Sequence, residues 1–351
     1  MPSTTLTEKL RTSGARIAAF NGAETAAVFS EATAEFAALR AGAGVFDLGW
    51  RGKLLLTGAD RQKWLNGMVT NNIRDLAVGI GTYNFLLNAQ GHILGDMYLY
   101  NRGDYVLLDT DASQAAKLRE SLDRFIIMDD VEISDASDKL TAIGLLGPKA
   151  REVMATAGIT APELQPLQVH DTVWLDAGIT VVATDHGGYE IWLAHANAGK
   201  LWDALMAAGA TPVGSDALEL WRIAQGIPRY GQDIRERDLP QETGQMRALN
   251  FIKGCYVGQE IVERIRSRGA VHRHFTGFEI DGPVPAPGTK LQANGKDVGE
   301  ITSVATLPGG RTLALGYIRR EAGGPGTAAT AGSAEVRIAE LPFVLEPVLK
   351  V

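Results

Sequence analysis

The sequence is poor in cysteine and histidine. It has one cysteine, Cys255, and six histidines among 351 residues. A single cysteine excludes an internal disulfide and any site built from several thiolates of this chain, and it suits a reducing compartment. His272 and His274 stand two apart, but two histidines without a nearby carboxylate or thiol make a weak ligand set. We therefore expect no resident metal.

Long apolar runs and a basic charge balance are also missing. No run approaches the ~18 apolar residues that a spanning helix needs. The segment from Met1 to Ser13 lacks the basic start and apolar middle of a signal peptide. The net charge of -7 provides no global field that would attract nucleic acid or an anionic membrane. The sequence thus predicts a cytoplasmic protein without membrane or direct nucleic-acid binding.

The patterns that are present predict an α+β protein. Strand and helix signals alternate along residues 1–268, where we expect two intertwined α+β subdomains, the second centred on about residues 50–140. After Gly269, short alternating strands broken by glycine and proline predict an all-β barrel domain over residues 269–351. Within it, the Gly/Ala/Thr-rich stretch 322–333 has almost nothing bulky to bury, so we expect a flexible loop there.

The surroundings of Cys255 favour a reactive thiol. Gly254 and Gly258 leave it little side-chain cover, and Lys253 supplies a positive charge that would stabilise a thiolate. The segment Gln259–Arg268 has the pattern of a helix, whose N-terminal dipole would favour the same anion. A lone cysteine is nevertheless most often an inert, buried, small apolar residue. Both interpretations stay open.

Several fragments resemble the glycine-cleavage T-protein, in the same order and with similar spacing over almost the whole chain. They are Ala43-Gly-Val-Phe-Asp-Leu48, the hairpin from Tyr83 to Leu99, Gly188-Tyr-Glu-Ile191, Leu220-Trp-Arg-Ile-Ala-Gln-Gly226 and Tyr230-Gly-Gln-Asp233. This resemblance implies a three-domain, cloverleaf-like α+β fold with antiparallel sheets, helices and a C-terminal all-β barrel. It also implies a central pocket for tetrahydrofolate or a derivative.

The resemblance assigns folate-binding roles to five residues. Glu190 matches the glutamate that grips the pterin, and a carboxylate suits that role because it accepts two parallel N–H bonds from the amino-pyrimidinone edge. Arg222 matches an arginine on the opposite side of the pocket. The similar hairpin places Tyr83, Asn88 and Asp96 with them.

Two positions depart from the T-protein pattern. The T-protein carries a catalytic aspartate where this sequence has Gly95, in Leu94-Gly95-Asp96. Asp96 is a poor substitute because adjacent strand residues point to opposite faces. Ala183 replaces a tyrosine near the folate. Aminomethyl transfer is therefore disfavoured, and whether the protein is an enzyme stays open.

The run from Lys253 to Glu260 resembles the signature of the YgfZ branch of the T-protein superfamily. That resemblance implies a folate-binding accessory protein for iron-sulfur cluster assembly or repair, linked to iron-sulfur-dependent tRNA modification. The partners would be iron-sulfur proteins or assembly factors. The resemblance implies Cys255 and Lys253 as catalytic residues. The other motif residues that it carries over are Gly254, Gly258, Gln259 and Glu260.

Three functions remain in competition at this level. The first is the folate-dependent accessory factor, in which Cys255 takes a one-carbon unit or a sulfur species, or transiently contacts a cluster. One thiol cannot hold a cluster alone, because such sites usually use four. The second is a folate-dependent aminomethyl or methyl transferase, and the third is a non-catalytic interaction scaffold.

Overall fold

The computed structural model describes residues 1–269 and 271–345. The chain divides into two compact units. The first contains Met1–Asn84 and Met97–Leu218, and the second contains Phe85–Asp96 and, within the described part, residues 219–345. No helix of these described residues is long and apolar enough to cross a membrane. The domain division into 1–268 and 269–351 stays a prediction, and residues 270 and 346–351 lie outside the described residues.

Helices are short and interspersed among the strands. The α-helices are α1 (Thr7–Thr12), α2 (Ala32–Ala41), α3 (Arg61–Asn66), α4 (Ala112–Asp123), α5 (Ala150–Thr156), α6 (His195–Ala207), α7 (Ser215–Ala224) and α8 (Gln259–Arg268). Short 3-10 helices span Pro240–Thr243, Met246–Ala248 and Arg320–Ala322.

The strands of the described residues fall into four sheets. In chain order they are β1 (Arg16–Phe20), β2 (Ala23–Val28), β3 (Gly44–Asp47), β4 (Arg51–Thr57), β5 (Gly81–Leu87), β6 (Ile93–Asn101), β7 (Val106–Asp111), β8 (Glu132–Asp135), β9 (Leu140–Leu146), β10 (Val169–Trp174), β11 (Ala177–Ala183), β12 (Tyr189–Ala194), β13 (Thr211–Pro212), β14 (Arg273–Asp281), β15 (Lys290–Ala293), β16 (Lys296–Thr306), β17 (Thr312–Arg319), β18 (Ala328–Ala331) and β19 (Ala334–Ala339). The strands β1 and β2 form a hairpin of their own.

Two larger sheets build the first unit. One has the order β10-β11-β12-β9-β3-β13, and the other has the order β5-β6-β7-β4-β8. One face of the six-stranded sheet packs against helices, and the residues Ile191 and Leu193 of β12 join that core. A second core, which includes Trp50, Tyr100 and Trp192, draws its residues from strands of both sheets. Side chains alternate along a strand, so β12 serves both cores at once.

A closed barrel forms most of the second unit. Its strands follow the order β14-β17-β16-β15-β18-β19, and closure leaves no unpaired edge. Its interior is apolar, with Phe278, Leu291 and Ile301 among the fully buried residues. The predicted α+β fold with antiparallel sheets and a C-terminal all-β barrel is confirmed.

The prediction of a flexible loop over residues 322–333 is wrong for the second half of that stretch. Residues Ala328–Ala331 form β18, which pairs with β19 and contacts β15 at Gln292. Ala329 and Ala331 are buried in the barrel interior. Small side chains suffice there because barrel closure, rather than bulk at this strand, creates the core.

Candidate functional site

The residues assigned to the site fall into two groups, one in each unit. Glu190 and Tyr83 belong to the first unit. All the others belong to the second unit: Arg222, Asn88, Asp96, Lys253, Gly254, Cys255, Gly258, Gln259 and Glu260.

Glu190 lies on the face of β12 that is turned away from the helices. Trp192, two residues on, lies on the same face, and its indole Nε1–H donates to Glu190 Oε2 at 2.9 Å. The cross-strand neighbours of Glu190 are Val182 on β11 and Gly144 on β9, neither of which carries a charge. Glu190 Oε1 accepts no hydrogen bond from the part of the chain that the structure describes. One carboxylate oxygen is therefore left for a ligand.

Two cross-strand ion pairs lie on β4 and β7 of the other sheet. The register pairs Lys53 with Asp109 and Arg51 with Asp111. Asp109 Oδ1 lies 2.8 Å from Lys53 Nζ and 3.0 Å from Arg51 Nε, and Asp111 Oδ1 accepts from Arg51 Nη1 at 2.7 Å. Lys53 is fully buried, at 0% exposure. Its ammonium lies 5.0 Å from the ring centroid of Trp192, which connects this network to Glu190.

Aromatic rings extend the site from Trp192 to Tyr83. Ring centroids are 4.9 Å apart for Trp192 and Tyr100, 6.4 Å for Tyr100 and Tyr98, and 5.0 Å for Tyr98 and Tyr83. The structure thus brings together Glu190 and Tyr83, both assigned from sequence. We call this set the Glu190 cluster; its members are Glu190, Trp192, Arg51, Lys53, Asp109, Asp111, Tyr100, Tyr98 and Tyr83.

Burial and neighbouring charges shift the pKa values of Glu190 and Asp109 in opposite directions. Burial raises the pKa of Glu190, and the negative charge of Asp109 raises it further, while Lys53 and Arg51 act in the opposite direction. Burial would also raise the pKa of Asp109, but Arg51 and Lys53 outweigh it and lower that pKa. The cluster therefore keeps Asp109 ionised and leaves Glu190 as the group that takes up a proton first.

Sequence reasoning missed the ionic half of this cluster. A usable signal was present: in Arg51-Gly-Lys53 and Asp109-Thr-Asp111, charges stand two apart within otherwise apolar strands. That spacing places both charges on one face of a strand, where a buried sheet must pair them.

In the second unit, the motif helix α8 packs tightly on the β5–β6 turn. A Cβ on Gly258 would lie 2.5 Å from the Asn88 carbonyl oxygen, and a Cβ on Gly91 would lie 2.7 Å from Ile261 Cβ. The Asn88 side chain accepts from the His92 N–H at 2.9 Å and so shapes the turn itself. The structure therefore brings Asn88 and Gly258 together through backbone contact.

The loop before α8 presents the thiol. Cys255 is exposed, whereas its neighbours Lys253 and Tyr256 are buried. The Lys253 ammonium lies 4.8 Å from the Tyr256 ring centroid. Gln259 fixes the loop from both sides, since its Oε1 accepts from the Tyr256 N–H and its own N–H donates to the Tyr256 carbonyl. Gly254, with φ +93°, supplies a turn that other residues rarely adopt, and Glu260 is exposed in the first helical turn.

The strand β6 shows which face each residue of Leu94-Gly95-Asp96 occupies. Ile93, Gly95 and Met97 are buried, while Leu94 and Asp96 are half-buried. Asp96 therefore lies on the opposite face from Gly95, as alternation requires. The face on which the T-protein resemblance places a catalytic carboxylate carries a glycine.

Arg222 lies in a saturated polar network instead of on a helix surface. It is 8% exposed, and its guanidinium donates to Glu219, Asp233, the Ile227 carbonyl and Ser303. These bonds use all five N–H groups of an arginine. The side chain thus joins α7 to the barrel strand β16, and it has no donor left for a ligand in this arrangement.

The described part of the chain has no set of side chains placed to bind a metal ion. No group of three or more His, Cys, Asp or Glu side chains is placed to hold an ion within residues 1–269 and 271–345.

Comparison with known families gives two matches along the chain. Residues 6–253 match the GCVT N-terminal domain family, and residues 272–343 match the CAF17 C-terminal beta-barrel domain family. The chain belongs to the GCVT family. The second match coincides with the closed barrel of β14–β19.

Individual relatives agree with this membership. An aminomethyltransferase from Rubrobacter xylanophilus is 30% identical over 97% of this chain and 91% of its own length. One from Thermus thermophilus is 29% identical over 98% of this chain and 99% of its own length. The crystal structure of the glycine cleavage system aminomethyltransferase T from Bartonella henselae superposes with a TM-score of 0.89 over 97% of this chain and 98% of that one, at 23% identity. This last likeness shows the fold.

Proposed function

We propose that the protein binds a reduced folate at the Glu190 cluster and acts through Cys255 as an accessory factor of the YgfZ type for iron-sulfur cluster assembly or repair. The single observation that carries this proposal is the contrast between two positions. Gly95 stands buried where the T-protein resemblance expects a catalytic carboxylate, whereas Cys255 is exposed on a loop that its motif holds in place.

The residues of the Glu190 cluster suit a pterin. Glu190 Oε1 is free to accept an N–H from the amino-pyrimidinone edge, and the half-buried ring of Tyr98, packed between the buried rings of Tyr83 and Tyr100, offers apolar surface to a flat heterocycle. Bound folate would supply a one-carbon carrier. The folate-binding roles of Asn88 and Asp96, which lie in the second unit, stay a prediction from the resemblance.

Arg222 takes a different part in the proposal from the one that the resemblance suggested. Because its five donors are engaged by protein acceptors, we assign it a positioning role, holding α7 against β16, instead of a direct bond to folate. Lys253, buried against Tyr256, likewise supports the loop that carries Cys255.

The match of residues 272–343 to the CAF17 barrel family supports a branch of the superfamily distinct from the transferases. The names of the relatives favour a second candidate, folate-dependent aminomethyl transfer. The two candidates share folate binding and differ in chemistry. An assay for methylenetetrahydrofolate formation from an aminomethyl donor separates them, with no turnover expected for this protein.

Calorimetric titration with 5-formyltetrahydrofolate tests the folate half. We expect saturable binding by the parent protein and at least tenfold weaker binding by Glu190→Gln, since one charge-assisted bond is worth ~1.5 to 3 kcal/mol. Glu163→Gln is the matched control, because the Glu163 side chain is 82% exposed. Absence of saturable binding by the parent protein would sink both folate-dependent candidates and leave the interaction scaffold.

Complementation tests the thiol. In a strain lacking the gene, the parent protein should restore the activity of an iron-sulfur dehydratase, and Cys255→Ala should not. A Cys255→Ala variant that restores full activity would remove Cys255 from the mechanism while leaving folate binding untouched.

A further inference from the structure

A fully buried lysine on a sheet face is unexpected on grounds of stability alone. Lys53 has no exposed surface, and its only close anionic contact among the described residues is Asp109 at 2.8 Å. Taking an ion pair out of water costs several kcal/mol per ion, and well-packed apolar residues often replace such pairs without loss. Asp109 Oδ2 is buried and lacks a hydrogen-bond partner within the described residues. Packing does not account for this pair.

Lys53 contacts the ring of Trp192, and this contact connects the Lys53–Asp109 pair to Glu190. The Lys53 ammonium lies over the indole at 5.0 Å from the ring centroid, where the ring quadrupole attracts a cation. The same indole donates its Nε1–H to Glu190 Oε2 at 2.9 Å. Lys53 thus stands on one side of the ring and Glu190 at its edge.

The charges that face Glu190 come from three strands. Arg51 and Lys53 on β4 are cationic, Asp109 on β7 is anionic, and Tyr100 on β6 is a neutral phenol whose pKa is raised well above 10 by burial and by Glu190. With Asp111, the cluster holds two cations and three carboxylates. Loss of one cation would leave Glu190 facing a net negative environment, which disfavours its ionised form.

We propose that Lys53, with its partner Asp109, is a positioning pair that sets the ionisation of Glu190 and thereby the affinity for the reduced folate. This inference rests on the proposed function. The ionised carboxylate accepts an N–H of the pterin edge at its free oxygen Oε1, whereas the protonated acid offers a donor that faces that same N–H group. Only the ionised form is complementary to the ligand.

The proposal fixes the sign of a pH dependence. Affinity is full above the pKa of Glu190 and falls about tenfold per pH unit below it, because the free protein then holds a proton that binding must displace. Lys53→Met removes a cation, raises that pKa and moves the decline to higher pH. Asp109→Asn removes an anion, lowers that pKa and moves the decline to lower pH.

The experiment measures the dissociation constant of 5-formyltetrahydrofolate between pH 4.5 and 8 for the parent protein, Lys53→Met, Asp109→Asn and the double variant. The ionisation of the ligand is common to all four proteins and cancels in the comparison. We expect midpoint shifts of about one pH unit in opposite directions for the single variants, the lower end of what a neighbouring charge produces. The double variant, which removes one charge of each sign, should return towards the parent midpoint.

Thermal melting of each variant shows whether it is folded. If one single variant fails to fold, the other and the double variant still give a signed prediction. Opposite shifts with a restored double variant support the proposal, since general damage to the site cannot move the midpoint in both directions. Midpoints that coincide with the parent in folded variants would overturn it while folate binding stands. A parent protein that binds no folate refutes the proposed function instead.

Discussion

Gly258 lies against the carbonyl oxygen of Asn88 so closely that a Cβ would stand 2.5 Å from it. Gly258 also has φ +81°, a conformation that costs other residues ~1 to 2 kcal/mol. Two separate demands, close approach and backbone conformation, thus fall on one motif glycine. The contact ties the helix behind Cys255 to the β5–β6 turn within the second unit.

Replacement of Gly258 by alanine should therefore be far more harmful than the same change at Gly254. Gly254 has φ +93°, but a Cβ there would meet nothing within 4 Å, so only the conformational cost applies. We expect Gly258→Ala to cost about 1 to 3 kcal/mol more than Gly254→Ala in urea denaturation. Equal costs for the two variants would show that the turn moves away from α8 without penalty.

Arg222→Ala should destabilise the second unit strongly. The change leaves Asp233, which is 0% exposed, without its cationic partner, and breaking a buried pair in this way costs about 3 to 5 kcal/mol. Arg237→Ala is the matched control, because Arg237 pairs with Glu300 but its side chain is 56% exposed. Its loss should cost less than about 1 kcal/mol in the same denaturation experiment. Comparable losses for both would contradict the network as described.

Tyr256→Phe should leave stability unchanged or raise it by up to about 1 kcal/mol. The Tyr256 hydroxyl is buried and has no hydrogen-bond partner among the described residues, and its pKa is raised to about 12 by burial and by Glu263. Removing an unsatisfied buried hydroxyl removes a desolvation penalty. Tyr98→Phe is the comparison, since the Tyr98 hydroxyl donates to Asp185 at 3.1 Å and its loss should cost about 1 kcal/mol. A clear loss for Tyr256→Phe would indicate a bound partner at that hydroxyl.

Local patterns predicted a large part of the fold. The helix Gln259–Arg268 has the bounds that its sequence suggested, and the barrel strands followed from apolar alternation between turn residues. The strand β18 was not predicted because residues Ala328–Ala331 carry no bulky side chain. Its pairing with β19 depends on barrel closure, which is a property of six strands together and leaves little local trace.

The candidate site, like the fold, could be predicted from the sequence only in part. Glu190 and Tyr83 could be assigned only through resemblance, since each alone is an ordinary strand residue. The pairing of Lys53 with Asp109 depends on the register of two strands more than fifty residues apart and on a facing sheet, neither of which a local pattern specifies. A local pattern likewise does not show that all five N–H donors of Arg222 are engaged, because only the fold brings Ser303 and Asp233 to its guanidinium.

Acid should weaken the barrel region through Glu300. Burial tends to raise the pKa of this carboxyl, but hydrogen bonds from Arg235 and Lys290 outweigh it and lower the pKa from 4.5 to about 2. A carboxyl with a depressed folded-state pKa contributes its full stabilisation above its unfolded value and loses it as the pH falls towards the folded one. The contribution of Glu300 should thus be complete above pH 4.5 and decline towards pH 2.

Urea denaturation of the parent protein and Glu300→Gln at pH 7 and pH 3 checks this. We expect the parent to be more stable by about 1 kcal/mol at pH 7, a modest figure because Lys290 and Arg237 are more than half exposed and water screens them. The gap should narrow at pH 3, since Glu300 is then almost fully protonated in the unfolded chain and folding must release that proton before the ion pairs form. A gap that stays constant or widens at pH 3 would mean that Glu300 acts through packing and not through its charge.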